Sequence, residues 1–416
     1  MPRELEEQEA IGYRIRRKRL NLRMNQAALA AAVGKSQGWM SKVEKGHIEL
    51  DSATVINGLA RALLCHPNEL IERPYTGTAA ENRWREAAAD ILRELRRYDL
   101  PPAFTGAPRS ASELWESMKR LHRLRDTAAN SAIMLSLPDL LREVRALAEV
   151  STGHEREEAF AIYAVCCKFA HTAAHALGHA ELVAMACERA AWSAQLSGDP
   201  LMPAVVDWMR VWDMWATADW NDAISLSDKA LRSIEDDYER GDPLAIRAWG
   251  SLQLRAAVSA ARAANAAEAD HRLALADQAS QRMITSKSLA YDRHSLTFSS
   301  GNVQIHRVSV ALEMSDQVKA LTLNAHVDPA HLAALPNSRQ GHHRMDLSRA
   351  YLWNGNRDKA LNELQEAEKL APQLVRNHPI GRATLRRIIC AERASTRERL
   401  RAMSSRFNLD DQALFP

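Results

Sequence analysis

Cysteine is scarce in this 416-residue chain, and what there is has no pattern. Cys65, Cys166, Cys167, Cys187 and Cys390 are an odd number without framework spacing, which excludes a disulfide scaffold and reads as reduced thiols of a cytoplasmic protein. Long apolar runs are missing too. None approaches the roughly 18–20 residues that cross a bilayer, so no membrane partner is expected. The opening "MPRELEEQEA" is acidic and has no apolar centre, which speaks against a secretion signal. Strand-like alternation is absent over any length, so the expected fold class is all-α. There is no HExxH, no GxSxG and no phosphate-binding loop, so neither a catalytic set nor a cofactor is expected.

Charge is present but unevenly placed. The whole chain sums to +3. Between Ile11 and Gly46, nine bases (Arg14, Arg16, Arg17, Lys18, Arg19, Arg23, Lys35, Lys42, Lys45) face one acid, Glu44. That segment is +8, which leaves −5 for the remainder. A basic block in a mildly acidic protein points to a local polyanion site, against the plainer alternative of a solvated helix face. Within the block, Asn25 is placed to cap the helix former "QAALAAAV", in which Ala27, Leu29, Ala30 and Val33 supply apolar contacts. Gly34 ends that helix, Ser36 caps the next, and "QGWMSKVEKG" stops at Gly46. Met40 and Val43 point inward; Gln37, Gly38, Ser41, Lys42 and Lys45 share the other side, where amide, hydroxyl and amine tips suit base edges and phosphates.

Residues 11–71 resemble a Cro/repressor-type helix-turn-helix domain of the XRE family. The resemblance is carried by "KRLNLRMNQAALAAAVG", "SQGWMSKVEKG" and "DSATVINGLARALLCHPNELI", the last for a fourth and fifth helix. It implies that Asn25 and Gln26 touch phosphate. It places Lys35, Ser36, Gln37, Gly38, Trp39, Ser41 and Lys42 at the double-stranded DNA, on or beside the third, reading helix. Trp39 has two places open to it, wedged toward the DNA backbone or packed under the reading helix. Arg19 and Glu44 match a family pair that ties the first helix to the third, a structural role that accounts for the lone acid. Lys18 and Lys35 stand where many members are apolar, and Arg23 replaces a frequent turn glycine.

Beyond "RPYTGTAA" (Arg73–Ala80) and a second break at "DLPPAFTGAPRS" (Asp99–Ser110), apolar residues recur at helical spacing. "DLSRAYLWNGNRDKALNELQEAEKLAP" has the small-residue and proline spacing of a tetratricopeptide (TPR) helix pair, and four weaker copies precede it. Their anchors Val183, Ala223, Ala269, Ala320 and Ala360 are 40, 46, 51 and 40 residues apart, which predicts a degenerate TPR-like solenoid with long helices. The expected organisation is DNA-binding domain 1–73, linker 74–80, solenoid 81–395 and tail 396–416. In that register Lys168, Trp208, Trp212, Asn302, His306, His342 and Arg349 face the concave side, as candidates for a peptide or small polar effector; ordinary inter-helix packing is the competing role of the aromatics. "CKFAHTAAHALGH" spaces Cys167, His171, His175 and His179 by four, but a drift of 100° per residue keeps one tetrahedral site from gathering all four, so no metal is expected. Over its whole length, with "SSGNVQIHRVSVALEM" and "EAEKLAPQLVRNHPIGRATLRRII" as further matching stretches, the chain resembles actinobacterial regulators that join an XRE domain to a TPR-like domain. That resemblance implies a non-enzymatic, nucleoid-associated transcription regulator. It would be homodimeric on a palindromic operator, and its solenoid would dimerise it, sense a signal or do both. The competing reading is a TPR interaction scaffold with an accessory DNA-binding domain.

Overall fold

A computed structural model describes residues 11–48, 50, 52–65, 70, 79–285, 292–389, 397–407 and 409. Every regular element among them is a helix, so the chain is all-α. Four short helices come first: α1 (Ile11–Asn21), α2 (Gln26–Ala31), α3 (Gln37–Glu44) and α4 (Ala53–Ala62). The expected fifth, at 66–71, falls outside the described residues apart from Leu70. Ile11, Ile15 and Arg19 recur every four residues on α1 and are buried together. They meet Leu29, Ala30, Met40, Val43, Leu50, Ile56, Leu59 and Leu63 in one small core. Val33 is half-buried against it, but Ala27 is exposed, because one short helix has a single inner stripe and Leu29 and Ala30 occupy it. α1 crosses α3 so closely that a Cβ on Gly12 would stand 2.1 Å from the carbonyl oxygen of Val43. Arg23, in the α1–α2 turn, adopts φ +52°, the left-handed region that a glycine would occupy without strain.

The larger part of the chain is a stack of helix pairs. α5 (Ala79–Arg96) starts the stack, so Ala79 and Ala80 are helical rather than linker. α6 (Ala111–Asp126), with a Ser110–Glu113 capping box, pairs with α7 (Asn130–Val150). Next come α8 (Gly153–Leu177) with α9 (Ala180–Ala194), and α10 (Met202–Thr217) with α11 (Trp220–Ser233). After the short α12 (Glu235–Glu239), α13 (Pro243–Arg262) pairs with α14 (Ala266–Thr285) and α15 (Ser300–Glu313) with α16 (Gln317–Asn324). α17 (Pro329–Ala333) leads to α18 (Asn337–Trp353), which pairs with α19 (Arg357–Leu370). α20 (Pro372–Asn377), α21 (Pro379–Ile389) and α22 (Arg397–Arg406) close the far end.

A single turn geometry repeats through the stack. Gly178, Ala218, Ala264, Ser315 and Gly355 all have φ between +59° and +79°, and each lies five residues before an anchor. The anchors Val183, Ala223, Ala269, Ala320 and Ala360 are all buried. Ala128, at φ +56°, stands five before the buried Ile133 and marks a sixth turn of the same kind, between α6 and α7, where the sequence shows no repeat. A left-handed residue reverses the chain in the fewest steps, and the small anchor then lets the second helix lie close on the first. Where the repeat uses alanine or serine in place of glycine, the turn is held by packing against a conformational cost.

Two expectations are corrected here. The tail at 396–416 is not loose over its described part: Leu400, Met403 and Phe407 are fully buried, and Arg382 donates to the Phe407 carbonyl. Arg406 pairs with the carboxylate of Glu368 at 2.6 Å, so α22 caps the solenoid core. And α8 is long and apolar enough to span a bilayer, with a mean hydropathy of 1.2 over its best window. That window is 89% buried among the other helices, which accounts for its composition. Runs judged by uninterrupted apolar residues miss it, because Lys168, His171 and His175 break the run without lowering the mean enough.

The turn geometry makes a stability prediction. Ala264→Gly raises the unfolding midpoint and Gly178→Ala lowers it, each by about 1 kcal/mol, since only glycine adopts positive φ without strain. Chemical denaturation of the full chain measures both; shifts of the same sign for the two variants contradict the assigned turn.

Candidate nucleic-acid interface and solenoid inner surface

α3 is positioned by a chain of hydrogen bonds that begins on α1. Arg19 grips Glu44 through Nε at 2.5 Å and Nη2 at 2.9 Å, and its Nη1 donates to the Met24 carbonyl at 2.7 Å. The second Glu44 oxygen accepts from Gln26 Nε2, and Gln26 Oε1 accepts from Gln37 Nε2, each at 2.7 Å. Burial works against charge on Glu44, but the hydrogen bonds from Arg19 and Gln26 and the charges of Arg19 and Arg16 outweigh it and hold the carboxyl below its ordinary range. The pair expected to join α1 to α3 is therefore present, and it extends through Gln26 to Gln37, the first residue of α3.

The other expected contact residues take definite places. Asn25 is exposed and accepts the Ala28 N–H at 2.7 Å, capping α2; Ser36 accepts the Trp39 N–H at 3.2 Å, capping α3. Lys35, Gln37, Gly38 and Lys42 are exposed and Ser41 is half-buried, while Met40 and Val43 are fully enclosed. Gln26 is half-buried, with both ends of its amide engaged. Trp39 is half-buried against the domain core, which decides between its two alternatives in favour of packing.

The helix stack encloses a cluster only part of which the sequence suggested. Trp208, Trp212 and Trp215 sit on successive turns of α10, and Arg255 of α13 lies over all three rings, its Cζ 3.9, 4.8 and 5.0 Å from their centroids. Lys168 of α8 stands 5.1 Å from the Trp208 centroid and donates to the Ser295 carbonyl at 2.7 Å. Burial, with Arg125 nearby, pushes the Lys168 ammonium down to about 7. Arg339 is drawn down to about 10 by burial and by Arg125, and Arg255 well below its usual value by burial and by Arg339. Among the described residues neither guanidinium has an acid within ion-pair distance or a hydrogen-bond acceptor, although the more distant Asp213 raises Arg255 in part. His306 and His342 lie in the same field; burial and Arg339 hold His306 down to about 3, and burial with His378 holds His342 well below the usual imidazole range, so both are neutral. Arg255 had a signal in the sequence that went unread: a single cation in the apolar run "LQLRAAVSAA".

Two of the expected inner residues are otherwise engaged. Arg349 is 2% exposed, lies 3.6 Å from Glu313 and 3.3 Å from Asp346, and is a core cation rather than an effector contact. Asn302 gives its amide N–H to the Thr297 carbonyl and so shapes the turn before α15. Its Oδ1 is buried without a partner.

On α8, His171 and His175 do come together, with a third group the sequence did not suggest. Both Nε2 atoms reach the same oxygen of Asp213 on α10, at 2.9 and 3.0 Å. Trp212 stacks on His175 at 4.0 Å with an interplanar angle of 8°. Cys167 is enclosed in the core, and His179 accepts the Leu182 N–H as the cap of α9, so neither joins them.

The small N-terminal domain rests on this part of the helix stack. Asn57 of α4 donates to the Trp215 carbonyl, Arg61 pairs with Asp219, and Trp215 Nε1 donates to Ser259 at 2.8 Å. Comparison with protein-family models, curated proteins and solved structures gives no match for this chain, so its function is read from its own residues.

Arg19→Ala is expected to destabilise the small domain by about 3–5 kcal/mol, because Glu44 would be left buried and unpaired. The wild-type pair has a pH signature. A carboxyl whose folded-state pKa is lowered adds stability above its unfolded pKa, and loses it as pH falls through the folded value. The domain should thus weaken below the ordinary carboxylate range, and Glu44→Gln should flatten that slope. Thermal melts across acidic pH measure both; an unchanged slope in Glu44→Gln excludes the pair as its source.

Proposed function

We propose that the chain is a sequence-specific DNA-binding regulator whose solenoid senses an effector carrying an anionic group. The carrying observation is the Arg19–Glu44–Gln26–Gln37 chain. It fixes a short capped helix whose outward residues are amide, hydroxyl and ammonium, on a domain segment of charge +8. Such a helix meets base edges in a major groove while the surrounding cations neutralise phosphates. One domain of this size makes few base contacts, so a homodimer on a palindromic operator supplies the site length that specificity needs.

The effector reading rests on the inner cluster. A guanidinium stacked on three indoles gains cation–π energy but keeps N–H donors that only an acceptor satisfies. With Lys168 and Arg339 in the same field, a carboxylate or phosphate is the complementary ligand, and the tryptophan faces suit an apolar or aromatic remainder. Trp215 belongs both to that cluster and, through its carbonyl, to the contact with Asn57, which gives ligand occupancy a short route to the pose of the DNA domain.

Lys42→Ala and Lys35→Ala should weaken binding to all DNA sequences alike and reduce the slope of log K against log salt, each phosphate contact contributing about −0.9 to it. Gln37→Ala should instead relax sequence preference, at about 1–3 kcal/mol. Selection from random DNA at several salt concentrations separates these. A flat salt profile with no selected sequence would reject the DNA reading and favour the scaffold.

Arg255→Met keeps volume and removes the guanidinium. It should abolish the response of DNA binding, and of tryptophan fluorescence, to anionic small molecules that alter the wild type, while basal DNA binding persists. Retained response in Arg255→Met rules out the inner cluster as the sensor.

A further inference from the structure

We propose that His171, His175 and Asp213 form a binding site for a single divalent transition-metal ion, with zinc the best match. The two histidines are one turn apart on α8, and α10 brings Asp213 across from them. All three ligand atoms lie within 4.8 Å of one another. Bonds of about 2.0–2.2 Å in a tetrahedral site put ligand atoms roughly 3.3 Å apart. The two nitrogen–oxygen separations of 2.9 and 3.0 Å need only a slight opening to admit an ion.

Two imidazoles and one carboxylate are a borderline-hard set suited to zinc rather than to magnesium or calcium, which take oxygen. The rings are also held in place. His171 is fully enclosed, the two imidazoles meet edge to face at 4.6 Å, and Trp212 lies flat on His175. Asp213 retains 28% of its side-chain exposure and His175 21%, which leaves room for a water or a ligand atom to complete the coordination.

Two surrounding features set the affinity below that of a closed structural site. Arg255 stands near enough to act on all three groups and repels a cation, so a bound ion gains from an anion in its open position. His171 Nδ1 is buried with no partner, whereas metal-bound imidazoles usually anchor that atom on an acceptor. The site therefore belongs with exchangeable metals. Because the ion's open position and Arg255 draw on the same anion, metal and anion binding should strengthen each other.

The test is titration of chelator-stripped full-length protein with cobalt(II), followed by competition with zinc. The expected result is the visible d–d spectrum of four- or five-coordinate cobalt, saturating at roughly one equivalent and displaced by zinc, with no sulfur charge-transfer band. Asp213→Asn and His175→Gln should each lower affinity at least tenfold, in line with a lost ligand. His179→Gln should leave it unchanged. The wild-type titration decides the matter even if a variant misfolds. Only the weak spectrum of six-coordinate aqueous cobalt, a thiolate band, or an unaltered spectrum in a folded Asp213→Asn would overturn the assignment. None of these outcomes bears on DNA binding, which is measured separately.

Discussion

A guanidinium buried under three indoles is the constraint around which the middle of this molecule is arranged. Arg255 projects from α13 onto the three tryptophans of α10, and it is 7% exposed. A buried cation without an acid is costly, and cation–π contact with Trp208, Trp212 and Trp215 offsets part of that cost. The rings must then stay on one face of α10, at intervals of four and three residues, which fixes the rotation of that helix. With α10 so rotated, Asp213 turns toward His171 and His175, and Trp215 presents its carbonyl to Asn57. Moving Arg255 would therefore disturb the tryptophan cluster, the histidine–aspartate trio and the seat of the small domain together.

Legibility from sequence follows the range of the interactions involved. The caps Asn25 and Ser36, the stop at Gly46 and the inward Met40 and Val43 depend on neighbours within a turn, and each is where the spacing puts it. The solenoid anchors are likewise local: a left-handed turn and a small residue five positions on recur at Val183, Ala223, Ala269, Ala320 and Ala360 despite uneven repeat length. The unit at Ala128–Ile133 escaped because its anchor is large, so small-residue spacing does not mark it. The Arg19–Glu44 pair came from family resemblance and not from periodicity, since 25 residues separate its members.

Long-range convergence was the part not legible. Geometry along one helix spoke against a site made of Cys167, His171, His175 and His179, and Cys167 and His179 do stand apart from the other two, yet it said nothing of Asp213, which arrives from the next repeat. The same limit applies to Arg349. Repeat register put it on an inner helix, but register does not reveal that Glu313 and Asp346 stand beside it and close it off. Charged residues in apolar stretches carry the useful signal here. Each had to find an acid or an aromatic face, and which of the two it found depends mostly on other helices, distant in sequence.

The contact between the small domain and the solenoid is slight by design of its chemistry, whatever ligand acts on it. Among the described residues its polar contacts include one side-chain amide, Asn57, meeting a backbone carbonyl, and an ion pair, Arg61–Asp219, whose partners keep 61% and 35% of their side-chain exposure. An exposed pair of that kind is worth about 0–1 kcal/mol, and a single neutral hydrogen bond about 1. The small domain is thus held in one pose by an energy comparable to the ~1–3 kcal/mol that a ligand typically transmits between sites. A larger, apolar interface would lock the pose beyond the reach of a small ligand, and none at all would leave it uninformed. On the proposed reading, a shift of Trp215 that costs its carbonyl the Asn57 contact weakens the seat of the small domain.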